Sequence, residues 1–306
     1  MYSSISQNKR NTVIIFSLFI AIISGIGLYF SYVYNDLTIF IFTLIFAIFY
    51  VLFQYKISTS ITLKMNGAES ISKKDAPEFY SIVESLSITA GLPMPKLYII
   101  NDSSMNAFVA GTNPENSVIC ATTGLLESMD KVEIEGVMAH EISHIKNYDI
   151  RVSMAAVALT AVIGVLSDIV LRFIFLNDDD EDSKNPIALI LGLFFVLISP
   201  FLATITRLAI SRQREFLADA TAVSLTRYPD GLISALEKLK NNKPLERQNS
   251  TTASLFISNP MKQGFFQRLF STHPPLDDRI KRLKENSARK FVMNRTVGLE
   301  HRNRLG

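Results

Sequence analysis

Residues Val137 to Asp149 read V-M-A-H-E-I-S-H-I-K-N-Y-D, and three of them form H-E-x-x-H: His140, Glu141 and His144. On a helix, the imidazoles at i and i+4 project from one face about one turn apart. That spacing suits a single zinc ion. Glu141 follows the first histidine directly, so its carboxylate can reach a water beside the metal and act as its general base without being a ligand. Such a short motif recurs by chance in helical proteins. Here, however, the whole chain has only four histidines, and two of them fall four residues apart around a glutamate.

Catalytic zinc takes three protein ligands and keeps an open position for water. Cys120 is the only cysteine, which leaves neither an intramolecular disulfide nor a thiolate cluster, so any metal must use His, Glu or Asp. The best third ligand is Glu215, in Ser211-Arg-Gln-Arg-Glu-Phe-Leu-Ala-Asp-Ala220, where Arg212, Glu215 and Asp219 share one helical face. The alternative for that segment is a solvated helix laced with salt bridges. Asp149 and Asp219 are candidates to accept the free N–H of a ligating imidazole and fix its orientation, with Arg212 beside them. For both aspartates a cap or a surface carboxylate is the alternative. His273 precedes Pro274-Pro275, whose restricted backbone would hold the imidazole in a defined place. It is a candidate donor to the oxyanion of a tetrahedral intermediate, or a transient ligand at the open metal position, against a purely structural histidine.

The elements that must position these groups can be read in part. Asp130 can cap a helix carrying the motif, with Glu133 three residues on as in a capping box. Ala76 to Ala90 has helical periodicity, with Phe79, Ile82, Val83 and Leu86 on one side, and Gly91-Leu-Pro-Met-Pro breaks it. Lys96 to Asn101, Asn106 to Gly111 and Ser117 to Thr122 read as short strands feeding into the motif helix. They are either ordinary core strands, or one exposed edge, through Asn106, Ala107 and Phe108, binds an extended peptide by strand addition.

Composition sets the surroundings. A chain of 306 residues that is 48% hydrophobic is too apolar for a typical soluble domain and reads as a membrane protein with a soluble part. The net charge of +3 is small and no Lys/Arg-rich run of nucleic-acid type occurs, so nucleic acid is excluded as a partner and anionic lipid suits the mild basic excess. Thr12 to Tyr34 and Leu37 to Phe53 are apolar enough to cross a bilayer, with the turn at Asn35-Asp36. No small-residue cleavage site follows the first run, which therefore reads as an uncleaved anchor. Lys9, Arg10 and Lys56 flank one side of this hairpin and Asp36 the other, placing the N-terminus and residue 56 in the cytoplasm. A second pair of runs, from Met154 to Leu176 and from Ile187 to about Ile210, flanks a strongly acidic link and returns residue 211 to the side of the motif. Because Asp168, Arg172 and Pro200 interrupt that pair, a partly inserted hairpin is the alternative to full spans.

Together these features resemble the HtpX-type membrane zinc metallopeptidases, relatives of the type I CAAX prenyl endopeptidases. The resemblance covers nearly the whole chain: two N-terminal spans, Gly91-Leu-Pro-Met-Pro, Asn106-Ala-Phe, H-E-I-S-H-I-K-N-x-D, a second hydrophobic pair, Ser211-Arg-x-x-Glu-x-x-Ala-Asp, and Ser271-Thr-His-Pro-Pro with Arg279. It implies a gluzincin-like site with His140, His144 and Glu215 on Zn2+ and Glu141 as base. It also implies a multi-pass protein of the cell membrane whose cytoplasm-facing domain degrades damaged or misassembled membrane proteins. The expected fold is a mostly helical α+β membrane protein, with about four transmembrane or membrane-embedded helices and a cytosolic zincin-like domain holding a small β-sheet. Its parts are a hairpin over 1–56, metallopeptidase segments over 57–152 and 211–306, and a second hydrophobic hairpin over 153–210. Two other classes compete. An intramembrane protease would carry its motif inside an apolar span, whereas Lys131, Glu133, Glu135, Lys146 and Asn147 surround this one. A membrane scaffold or chaperone-like binder would close a structural zinc with a fourth protein ligand, for which His273 is the evident histidine.

Overall fold

The computed structural model of this chain describes residues 2–161, 212–247, 251–258 and 274–287. Most of the second hydrophobic pair, the acidic link, His273 and the basic tail lie outside the described residues.

Two long helices open the chain, α1 (Tyr2–Tyr34) and α2 (Leu37–Met65). Asn35 turns the backbone through a positive φ of 53°, and the Asp36 carboxylate caps α2 by accepting from the Thr38 N–H. Both helices are long and apolar enough to cross a membrane. Phe42, Ile45, Phe49 and Leu52 of α2 are exposed, a continuous apolar surface that a bilayer would cover. The second helix runs nine residues past Lys56, because Ser58, Thr62 and Leu63 give its last turns a buried face on the domain below.

The small sheet is mixed, with strand order β1-β2-β4-β3. Its strands are β1 (Ala68–Ser70), β2 (Lys96–Ile100), β3 (Ala107–Ala110) and β4 (Val118–Thr122). β1, at three residues, is too short to announce itself by alternation. β2 and β4 are parallel, and β3 runs antiparallel to β4 with Phe108 opposite Cys120. Helix α3 (Pro77–Ala90) starts on proline and ends on Gly91 in the left-handed region at φ 68°, then a short α4 (Thr123–Ser128) follows β4.

The motif lies on α5 (Lys131–Lys146), whose start is the expected capping box: Asp130 accepts from the Glu133 N–H while Glu133 accepts from the Asp130 N–H. Glu133 does more, since it also takes hydrogen bonds from Ser234 at 2.6 Å and Lys238 at 2.6 Å. Helix α6 covers 149–161, α7 is Arg212–Thr226, α8 is Pro229–Leu239 and α9 covers 276–287. α5 and α8 touch backbone to backbone. A Cβ on Gly136 would fall 2.6 Å from the Leu232 nitrogen, and one on Gly231 would fall 2.6 Å from the Val132 carbonyl. This close seat, with Val137, Met138, Ile142 and Leu236 fully buried around it, fixes the motif helix in the main core.

Candidate metal centre

α5 and α7 together bring three ligand-type groups to one point. His140 Nε2 and His144 Nε2 are 3.2 Å apart, and the two Glu215 oxygens lie 3.6 Å from one imidazole nitrogen each. All three ligand atoms fall within 4.8 Å of one another. The outward-facing ring nitrogens are held by carboxylates. His144 Nδ1 is 2.9 Å from Asp149 Oδ2, and His140 Nδ1 is 3.0 Å from Asp219 Oδ1. Each imidazole thus turns its Nε2 toward the common point, the arrangement that a carboxylate behind a metal-binding histidine provides, although Arg279 Nη2 also lies 3.4 Å from His140 Nε2.

The electrostatics favour a cation there. Burial and the Arg279 charge push the His140 imidazolium down, but the Asp219 and Glu215 carboxylates outweigh them and raise its pKa to about 9. Glu141, also buried, has its carboxyl pushed up by desolvation against the pull of His140, His144 and Arg279. One of its oxygens, Oε2, is buried with no hydrogen-bond partner. A buried, unpaired carboxylate oxygen is costly unless water or an ion meets it, so the residues present fit a metal with its water.

Arg279 on α9 completes the site from below. Its guanidinium, fully buried, binds Asp219 at two points, Nη2–Oδ1 2.6 Å and Nε–Oδ2 2.9 Å. Nη2 also lies 3.2 Å from His140 Nδ1, but that nitrogen is already directed at Asp219, so the ion pair with Asp219 is the bond that counts. Burial raises the Asp219 carboxyl, and the charge of Arg279 with the His140 bond more than reverses this, to about 2.

Not every expected member is where the sequence put it. Arg212 is exposed on the first turn of α7 and takes no part in the site, a correction to its expected place beside Glu215 and Asp219. A shared helical face does not by itself bring side chains to one point: Glu215 and Asp219 on α7 are buried, whereas Arg212 is exposed. Arg279 supplies the guanidinium instead. The expected strand edge is present but covered in this structure. Asn106, Ala107 and Phe108 do form the outer side of the sheet, but they are fully buried, because residues 256–258 lie along them. The Ile257 N–H donates to the Ala107 carbonyl at 2.9 Å, Asn106 Nδ2 donates to the Ser258 carbonyl at 2.9 Å, and the Phe256 ring meets Phe108 edge to face at 4.9 Å. His273 lies outside the described residues.

Two contributors were not read from the sequence as members of the site. Arg279 stands out only as an arginine after the Pro-Pro pair, and its partner is 60 residues away. Asn8 sits in the polar stretch ahead of the first apolar run, where nothing local marks it as a donor to Asp149.

The family model for Peptidase family M48 matches residues 73–287. A protease HtpX homolog of Tropheryma whipplei (strain Twist) is 48% identical over 286 residues, covering 93% of this chain and 98% of that protein. Another, from Streptococcus gordonii, is 44% identical over 299 residues, covering 93% and 99%. The crystal structure of S. mikatae Ste24p superposes with a TM-score of 0.51 at 24% identity, over 89% of this chain and 65% of that one, a likeness of fold. With its H-E-x-x-H helix, its converging glutamate and its two membrane-type helices, the chain belongs to peptidase family M48, as an HtpX-type membrane-associated metalloprotease.

Proposed function

We propose that the protein is a zinc-dependent endopeptidase of the cell membrane, its site facing the cytoplasm, that hydrolyses peptide bonds of misfolded or damaged membrane proteins. The observation that carries this reading is the convergence of His140 Nε2, His144 Nε2 and Glu215, each imidazole backed by a carboxylate, around the unpartnered oxygen of Glu141. Two neutral-capable nitrogens and one carboxylate are a zinc donor set, with one position left for water. Among the described residues the cluster holds three ligand-type side chains, the number a catalytic zinc takes.

The orientation rests on Lys9, Arg10 and Lys56 against Asp36, and on the head of α1, which touches the turn after the motif helix. The charge asymmetry supports a cytoplasmic N-terminus, and the contact of Asn8 with the Asn147 carbonyl supports a site on that same side. Partial insertion or full spanning of the second hydrophobic pair leaves that side unchanged.

When bound, the ion supplies Lewis acidity to a water and to the scissile carbonyl. Glu141, with its carboxyl pushed up by burial, accepts the proton of the attacking water and returns it to the leaving amine. Asp149 and Asp219 hold the imidazoles, and Arg279 holds Asp219. His273 is the candidate donor to the developing oxyanion. An extended substrate takes the Asn106–Phe108 edge by main-chain hydrogen bonds, which tolerate many sequences, and residues 256–258 yield that edge to it. Peptides varied around the scissile bond test the breadth: cleavage of most of them supports it, and a strict demand for one side chain contradicts it.

The metal is tested by stripping the purified chain with a chelator and adding zinc back in the presence of a denatured model protein. Cleavage should vanish and return with zinc. Cleavage that survives a chain measured to be metal-free would overturn the reading.

A further inference from the structure

We propose that Asn8, at the head of the first apolar helix, is a positioning residue for the metal centre: its side-chain amide fixes Asp149 and, through it, the His144 imidazole. Asn8 is 3% exposed although it stands in the polar stretch before the span. Its Nδ2 donates to the Asp149 Oδ1 at 2.7 Å and to the Asn147 carbonyl at 2.9 Å. Both neighbours are pure acceptors, so the amide nitrogen must face them, and both of its hydrogens are used. The other Asp149 oxygen, Oδ2, is the one at 2.9 Å from His144 Nδ1. A continuous line of bonds therefore runs from α1 to the ring whose Nε2 faces the metal point.

The turn between them explains why a clamp is needed. Tyr148 has a φ of 60°, a left-handed conformation that costs a non-glycine residue of order 1 kcal/mol or more and persists only when its surroundings hold it. The head of α1 supplies that hold from two adjacent residues. Asn8 grips the Asn147 carbonyl and Asp149, and the Lys9 ammonium sits 4.7 Å over the Tyr148 ring. Thr12 bonds the Asn8 carbonyl at 3.0 Å, and further along the same helix Ile15 and Phe19 form one buried cluster with Val152 and Leu159 of α6. The apolar anchor is thus part of the metal site's outer frame, and residues 147–149 are held between the membrane helix and the ligand helix.

This rests on the zinc reading, and the experiment separates the two. The probe is zinc itself, titrated into the full-length detergent-solubilised chain against a chromophoric chelator, with Co2+ in place of zinc for an absorption spectrum. If the wild type binds no zinc, the metal reading fails. If it does, Asn8→Ala should weaken zinc by roughly three- to tenfold, less than the about 10–100-fold that loss of a histidine's own outer partner costs, because Asn8 acts one bond further out. Asn8→Asp, the same shape with no donor and a like charge beside Asp149, should weaken it further. Arg10→Ala, at an exposed position of the same helix end with no bond to the turn or to Asp149 among the described residues, should stay within about twofold. In an Asp149→Asn background, Asn8→Ala should add no further loss, since the two act through one path. The cobalt spectrum should shift in Asn8→Ala and not in Arg10→Ala. Unchanged zinc affinity in Asn8→Ala, an equal loss in the Asp149→Asn background, or a lowered melting temperature with an unshifted cobalt spectrum would each overturn the proposal, the last by making Asn8 a docking residue only.

Discussion

Arg279 grips Asp219 at two points, Nη2–Oδ1 2.6 Å and Nε–Oδ2 2.9 Å, and both side chains are almost completely shielded from water. Through that pair helix α9 sets the orientation of His140, which α5 carries. Removing one partner of a buried ion pair leaves an uncompensated charge and costs about 3–5 kcal/mol. Arg279→Met is therefore expected to destabilise the domain by that order and to lower zinc affinity, because Asp219 loses the charge that holds it ionised. Urea unfolding with zinc titration measures both, and a variant as stable as wild type with normal zinc affinity contradicts the account.

The charge on His140 gives a pH dependence of defined sign. Its pKa rises from 6.5 to about 9 in the folded, metal-free chain, so the protonated ring stabilises that state fully below about 6.5 and the contribution is lost as pH rises through about 9. A metal needs the deprotonated ring, so the proton competes with it. Zinc affinity should rise with pH across that window and level off above about 9. Chelator competition at a series of pH values reads this directly, and an affinity that is flat from about 6.5 to 9 contradicts it.

Residues 256–258 must leave the β3 edge for an extended substrate to take it. The Ile257 N–H, bonded to the Ala107 carbonyl at 2.9 Å, reports on this. In the free protein its hydrogen exchange is expected to be slow. In Glu141→Gln saturated with an uncleaved peptide it should speed up by more than about tenfold, as protection from local structure is lost. Protection that persists with peptide bound would mean that 256–258 is a permanent member of the sheet and that substrates lie elsewhere.

Much of the frame was legible because its signals are local. The capping box at Asp130 and Glu133, the helix from Pro77 to the Gly91 stop, and the three longer strands all follow from neighbours a few residues apart. The pairing of His140 with His144 is a matter of helical period, and the two membrane-type helices follow from length and apolarity. Contacts between distant segments were not legible. Asn8 meets Asp149 across 141 positions and Arg279 meets Asp219 across 60, with no periodicity to announce either. The covering of β3 by 256–258 was missed for the same reason: Leu255-Phe256-Ile257 is too short an apolar run within a polar stretch to show a strand pattern, and a single bridge is enough to bury an edge. Arg212 misled because a shared helical face is a necessary condition for a shared site and no more than that.

The most direct measurement of the central claim compares wild type with Glu141→Gln for bound zinc and for cleavage of a denatured model protein. The account gives Glu141 a proton to carry and no bond to the metal, so the variant should hold zinc in the same ratio as wild type while its cleavage falls by about 10²–10⁴-fold or more. A variant that cuts at the wild-type rate with its zinc in place would contradict the role assigned to Glu141. A variant that loses its zinc would show that Glu141 belongs to the metal's own ligands.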